Sequence, residues 1–183
     1  MGLFMDRMMG KDFDKGLAKL KKIAEERADW PVIEEKTIPE QLTLMIKDSA
    51  GPKTFGEVMG KGFSEIMAFA KSSNLIVKGP PFARYLKWDS VTYFAVFDLG
   101  IPVEKAEKGK GRVRVESVPA MKVIQAKYFG PYDKTEKVYR NLAQYSKEAE
   151  LQEAGGPWEI YVTDPTTEKD PMKVETDIVF PVK

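Results

Sequence analysis

The sequence predicts an α+β fold, a tandem pseudo-two-fold β-α-β-β repeat with antiparallel sheets, helices on one face and a central ligand groove. The main observation is an internal echo. Ile38-Pro39 opens one copy and Val118-Pro119 the other; Gly51-Pro52 matches Gly130-Pro131; Ile101-Pro102-Val103 matches Phe180-Pro181-Val182. Between them, Pro81-Phe82-Ala83-Arg84-Tyr85 matches Pro157-Trp158-Glu159-Ile160-Tyr161. The second observation is the order of hydrophobic periods within each copy, strand-like, then helix-like, then strand-like twice. The third is the number of copies: stacked arrays need three or more, so two point to a two-fold axis with a groove along the join.

Residues 11–28 (KDFDKGLAKLKKIAEERA) read as an amphipathic helix, with Asp12 as N-cap and Phe13, Leu17, Leu20 and Ala24 on one face. It stands outside the duplication. It serves as an accessory helix, an interaction helix or the tail of an upstream domain, so residues 1–30 are set apart from a module over 31–183. Trp30-Pro31 ends it. The first copy, about 32–103, then has extended segments at 32–36 and 41–48, where Leu42, Leu44 and Ile46 alternate. A helix follows over 54–71, with Phe55, Val58, Met59, Phe63, Ile66, Met67 and Ala70 at helical spacing. Gly56, Gly60 and Gly62 weaken it but permit close approach. Strands are expected at 83–88 and 91–99. The charged segment 104–111 (EKAEKGKG) is a linker or hairpin tip. The second copy, about 112–183, repeats the order: strands at 112–116 and 122–129, a helix over 132–150, and strands at 157–162 and 176–182. Asp164 to Pro171 reads as a surface turn, and Gly60-Lys61-Gly62 lacks the strand-loop-helix setting of a phosphate loop.

Composition narrows the chemistry. The chain of 183 residues can bury a substantial core, and 43% hydrophobic with 31% charged residues is an ordinary globular balance. With 29 basic and 28 acidic residues the net charge is +1, which gives no electrostatic case for nucleic acid or an anionic membrane. No apolar run approaches the roughly 18 residues of a membrane span, and Met1 to Gly10 does not read as a signal peptide, so a cytoplasmic location is expected. The chain contains no cysteine and no histidine. That excludes thiolate and Ser-His-Asp catalysis and most zinc and iron sites. Neither metal nor cofactor is expected, and proton transfer falls to Asp, Glu, Tyr or Lys.

The position that stands out is Glu159. Along its strand Trp158 and Ile160 point one way, Glu159 and Tyr161 the other. With helices over the Trp158/Ile160 face, Glu159 and Tyr161 would line a groove on the opposite face. Tyr85 matches Tyr161, but Ala83 stands where the second copy has Glu159, so the join holds one acid between tyrosines of both halves. A solvent-facing glutamate is the plain alternative. Tyr128 and Tyr132 bracket Gly130-Pro131 at a helix start, where they face the groove mouth or fill core. Aromatic walls around one carboxylate suit a flat, apolar or cationic ligand, with Trp88 a further wall candidate.

YFGPY followed by a helix, then PWEIYVTDP, then TDIVFPV, resembles the GyrI-like small-molecule-binding family over roughly residues 32–183. That family includes the effector-binding domains of bacterial multidrug-responsive transcription regulators. The resemblance implies a tandem β-α-β-β architecture and an acid at Glu159 in an aromatic pocket that contacts cationic lipophilic ligands. The regulators carry a helix-turn-helix ahead of this domain, for which residues 1–30 leave no room; that stretch resembles the last helix of a START-like domain, and a stand-alone member is expected. Ligand-binding candidates are Glu159, Tyr161, Tyr128, Tyr132, Tyr85 and Trp88. Sensing or sequestration is the favoured role. Some family members hydrolyse cyclopropane-bearing genotoxins, which would make Glu159, Tyr128 and Tyr161 catalytic. A gyrase-inhibitor-like contact with a protein partner is the third reading; no direct nucleic-acid or membrane partner is expected.

Overall fold

The computed structural model describes residues 30–106, 108–164 and 167–183, and the helix expected over 11–28 lies outside them. Val32–Lys183 forms one compact unit. Its elements are β1 (Ile33–Ile38), β2 (Gln41–Ala50), α1 (Phe55–Ser72), β3 (Phe82–Asp89), β4 (Phe94–Pro102), β5 (Arg114–Val118), β6 (Met121–Phe129), α2 (Glu136–Glu148), β7 (Trp158–Tyr161) and β8 (Glu175–Val182). The strands form one eight-stranded antiparallel sheet in the order β1-β6-β8-β7-β3-β4-β2-β5. The two halves of that order mirror each other across the β7–β3 junction.

At the junction one residue, Ala83, meets its own counterpart, and the pairs on either side of it are exchanged. Phe82 pairs with Ile160, Ala83 with Glu159 and Arg84 with Trp158, so the pseudo-two-fold axis passes through the Ala83/Glu159 pair. Directly opposed positions on a sheet hold their Cβ atoms about 5 Å apart, and like charges there destabilise. One acid and one alanine satisfy that constraint, and two acids would not.

The opening strands are exchanged. β1 begins the first copy in sequence yet pairs with β6 of the second; β5 begins the second yet pairs with β2 of the first. Only Pro39 and Glu40 separate β1 from β2, although these strands lie toward opposite ends of the sheet order. Three Cα steps span at most about 11 Å, so the sheet must curl until its ends approach. The inner face of the curl carries a core shared by both halves, built from Ile38, Met45, Phe82, Val118, Val123, Trp158 and Val179. Phe82 and Trp158, related by the axis, stack there with centroids 4.7 Å apart, a contact worth about 0.5–1.5 kcal/mol beyond its buried area.

The helices pack on the other face. α1 covers Leu44, Ile46, Leu99 and Ile101, and α2 covers Ile124, Ala126 and Ile178. Alternation puts Glu159 on this face, since its register partners are Ala83 and Ile178. The expectation that helices cover the Trp158/Ile160 face is therefore reversed: that face lines the inside of the curl, and Glu159 lies on the helix side, between α1 and α2. Period-2 alternation fixes which residues share a face, but not which face the helices choose.

Boundaries moved for local reasons. The strand expected from 91 begins at Phe94 because Asp89 accepts hydrogen bonds from Val91 N, Thr92 N and Thr92 Oγ1, forming a turn. The helix expected over 132–150 is split: Tyr132–Lys134 is a short 3-10 turn after Pro131, and α2 begins at Glu136. Both helices end alike, with Asn74 or Glu150 at positive φ and the next leucine donating to the carbonyl five residues back, Leu75 to Ala70 and Leu151 to Ser146. Of the α1 glycines, Gly62 permits close approach. A Cβ there would lie 2.3 Å from Leu99 Cδ1, whereas Gly56 and Gly60 face open space. No helix among the described residues is long and apolar enough to cross a membrane.

Candidate functional site

Glu159 is 7% exposed, and its carboxylate accepts three phenol hydrogen bonds. Tyr85 and Tyr161 donate to Oε2, each at 2.9 Å, and Tyr139 donates to Oε1 at 2.9 Å. Tyr85 stands on β3 and Tyr161 on β7, so these two are related by the axis and converge on the oxygen beside it. Tyr139 comes from α2. Counting back from the matched helix ends, its counterpart on α1 is Phe63, which has no hydroxyl. The two halves thus supply the same ring framework, while the acid and the third donor belong to the second half alone. Among the described residues no basic side chain forms an ion pair with Glu159.

This arrangement keeps the phenols protonated. Burial, and then the charge of Glu159, hold Tyr85, Tyr139 and Tyr161 well above the ordinary phenol range. Tyr132 is raised for the same two reasons, with Asp164 adding to them. Phenols that cannot ionise at neutral pH remain donors, and each donor in turn holds the carboxylate where it is.

Rings extend outward from this centre. Tyr132 meets Tyr161 edge-on at 5.5 Å, and Phe63 meets it edge-on at 5.8 Å from α1. Phe55 stacks on Tyr85 at 6.4 Å, and Trp88 lies edge-on to Tyr85 at 6.4 Å. Tyr132 is 40% exposed and Trp88 56% exposed, so both stand at the surface.

The structure brings Glu159, Tyr85, Tyr161 and Tyr132 together, with Trp88 one ring further out beyond Tyr85. Tyr128 is placed differently. Its ring packs against the core under α2, and its hydroxyl donates to the Pro131 carbonyl at 2.9 Å. Gly130, at φ +145°, makes room for that: a Cβ there would lie 2.5 Å from the Tyr128 hydroxyl oxygen. Sequence reasoning passed over Tyr139, Phe63 and Phe55. The signal for Tyr139 is its place one residue after Val138, off the stripe that Val138 and Leu142 bury in the core, which turns it toward the join.

The sequence profile of the GyrI-like small-molecule-binding domain matches residues 31–183. No curated protein matches the chain by sequence. Among solved structures, the C-terminal domain of EcmrR superposes with a TM-score of 0.75 at 19% identity, covering 84% of this chain and 98% of that one. A hydrolase from Listeria innocua superposes at 0.63 and 14% identity, covering 89% and 98%. SAV2435 bound to tetraphenylphosphonium superposes at 0.57 and 12% identity, covering 83% and 94%. At these identities the likenesses are of fold. The profile match spans both halves of the sheet, both helices and the junction that carries Glu159, and the chain belongs to the GyrI-like small-molecule-binding domain family.

Proposed function

We propose that this domain binds lipophilic cations and flat aromatic molecules at the β3–β7 junction, with Glu159 as counter-ion and Tyr85, Tyr161, Tyr132 and Trp88 as apolar and π-rich surface. One observation carries the reading: a buried carboxylate whose partners among the described residues are three neutral phenols. Such a group has hydrogen-bond donors around it but no built-in cation among the described residues. A ligand cation beside it gains Coulomb attraction in a desolvated setting and ring faces that favour positive charge. SAV2435, with the same fold, holds tetraphenylphosphonium, a cation of this chemical class. Sensing or sequestration in the cytoplasm is the role this chemistry suits.

The test is a fluorescence or calorimetric titration with tetraphenylphosphonium. Glu159→Gln should weaken binding about 10- to 100-fold, the loss of a charge-assisted interaction worth about 1.5–3 kcal/mol. Equal affinity in wild type and variant would remove Glu159 from the site. Turnover is the second reading, favoured by phenols set 2.9 Å from a carboxylate: one of them, turned from Glu159 to the substrate, would stabilise a developing oxyanion while Glu159 took a proton from water. Incubation with a cyclopropane-bearing alkylator separates the two. Ring-opened product in excess of protein supports hydrolysis, and stoichiometric protection without product supports binding.

A further inference from the structure

The axis that relates the halves also relates Asp98 on β4 to Asp177 on β8. Both lie on the face opposite the helices. Their settings differ. Asp98 is 1% exposed and fully paired: Arg84 donates to Oδ2 at 2.6 Å from Nη2 and 3.2 Å from Nε, and Arg114 Nη2 donates to Oδ1 at 2.6 Å. The Arg84 guanidinium also lies 5.8 Å from the Trp158 ring centroid.

In the second half those partners are absent. Ile160 stands where the first half has Arg84, and Phe82 where it has Trp158. In register, Glu34 takes the place of Arg114. Asp177 is nonetheless 8% exposed. Gln125 Nε2 donates to its Oδ2 at 2.8 Å, and its Oδ1 has no hydrogen-bond partner. Burial pushes the carboxyl above its usual range, against the opposing pull of Lys127 and Lys36. Lys127 is itself engaged with Glu175 at 2.5 Å.

Asp177 lines a cavity of about 280 Å³ together with the apolar Ile38, Phe82 and Ile160 and the polar Lys36, Thr37 and Gln41. That volume suits a small ligand. A buried carboxylate oxygen without a hydrogen-bond partner costs free energy unless a donor reaches it.

We propose that this cavity is a second ligand site, taking a guanidinium or amidinium group on a small apolar body, with Asp177 as its bidentate counter-ion. The first half supplies the template, since there the equivalent carboxylate is held by the chain's own Arg84. The site is on the opposite side of the sheet from Glu159 and does not depend on the reading given to that residue.

Benzamidine is the probe, an amidinium on an aryl ring. Calorimetric titration of the wild type should show saturable binding, and benzamidine should shift the Ile38 and Ile160 methyl resonances in a carbon–proton spectrum. Asp177→Asn keeps the side-chain shape and should weaken binding at least 10-fold. Ile160→Arg, which places the chain's own guanidinium opposite Asp177, should abolish it. Three results overturn the proposal: no saturation at millimolar benzamidine, unmoved Ile38 and Ile160 methyls, or unchanged affinity in both variants.

Discussion

Raising the pH through the tyrosine range tests the Glu159 cluster directly. In the native protein Tyr85, Tyr139 and Tyr161 resist ionisation through burial and the Glu159 charge. In the unfolded chain the same phenols titrate near pH 10. Their folded-state pKa is raised, so the stability they bring is complete below pH 10 and is lost as the pH climbs above it. Between the unfolded and folded values the unfolded state has released three protons that the native state retains. At about 1.4 kcal/mol per proton per pH unit, stability should fall by about 4 kcal/mol per pH unit from these residues alone. An ordinary margin of about 5–15 kcal/mol is then exhausted within a few pH units. Urea midpoints measured at half-unit steps from pH 9 upward give the slope, and absorbance at 295 nm counts the phenols that ionise before unfolding. Lysine titration overlaps this range, so the decisive comparison is with single variants. Tyr85→Phe, Tyr139→Phe and Tyr161→Phe should each reduce the slope by about 1.4 kcal/mol per pH unit. Each should also cost about 1.5–3 kcal/mol at neutral pH, the worth of a hydrogen bond to a charged group. If the variants share the wild-type slope, or if all seven tyrosines of the native protein ionise near pH 10, the buried cluster does not exist as described.

Two further perturbations address the frame that holds the sites. Gly60→Ala on α1 meets open space and should stabilise by about 0.5–1 kcal/mol, whereas Gly62→Ala, driven into Leu99, should destabilise by about 1–3 kcal/mol; thermal melts of opposite sign check both, and a melt raised by Gly62→Ala would contradict the close approach of α1 to β4. Asp98→Asn removes the more buried of the two carboxylates, Asp98 and Glu116, that Arg84 and Arg114 share and should cost about 3 kcal/mol in chemical denaturation, with a loss under 1 kcal/mol showing that the network contributes little.

Much of this was legible before any coordinates. The matched prolines gave the two copies, and the altered periods gave strand-helix-strand-strand in each. The pairing of Glu159 with Ala83 in the alignment marked the asymmetry, which the fold then sets face to face across the axis. Alternation alone put Glu159 and Tyr161 on a common face. Strand pairing is non-local, however. Nothing within Ile33–Ile38 says that its partner lies in Met121–Phe129 and not in its own copy, and the exchange of β1 and β5 appears only when the sheet is assembled. The choice of helix face followed from that exchange, because the curl enclosed the Trp158 side and left the Glu159 side to α1 and α2. Tyr139 was invisible as a partner for Glu159 for a related reason: their hydrogen bond joins a helix to a strand, and the angle at which α2 lies across the sheet is set by packing. The sequence thus determined which residues could share a surface, through periods of 2 and 3.6 that are local properties of the backbone. Which surfaces meet was decided by burial of the two halves against each other, a property of the whole chain.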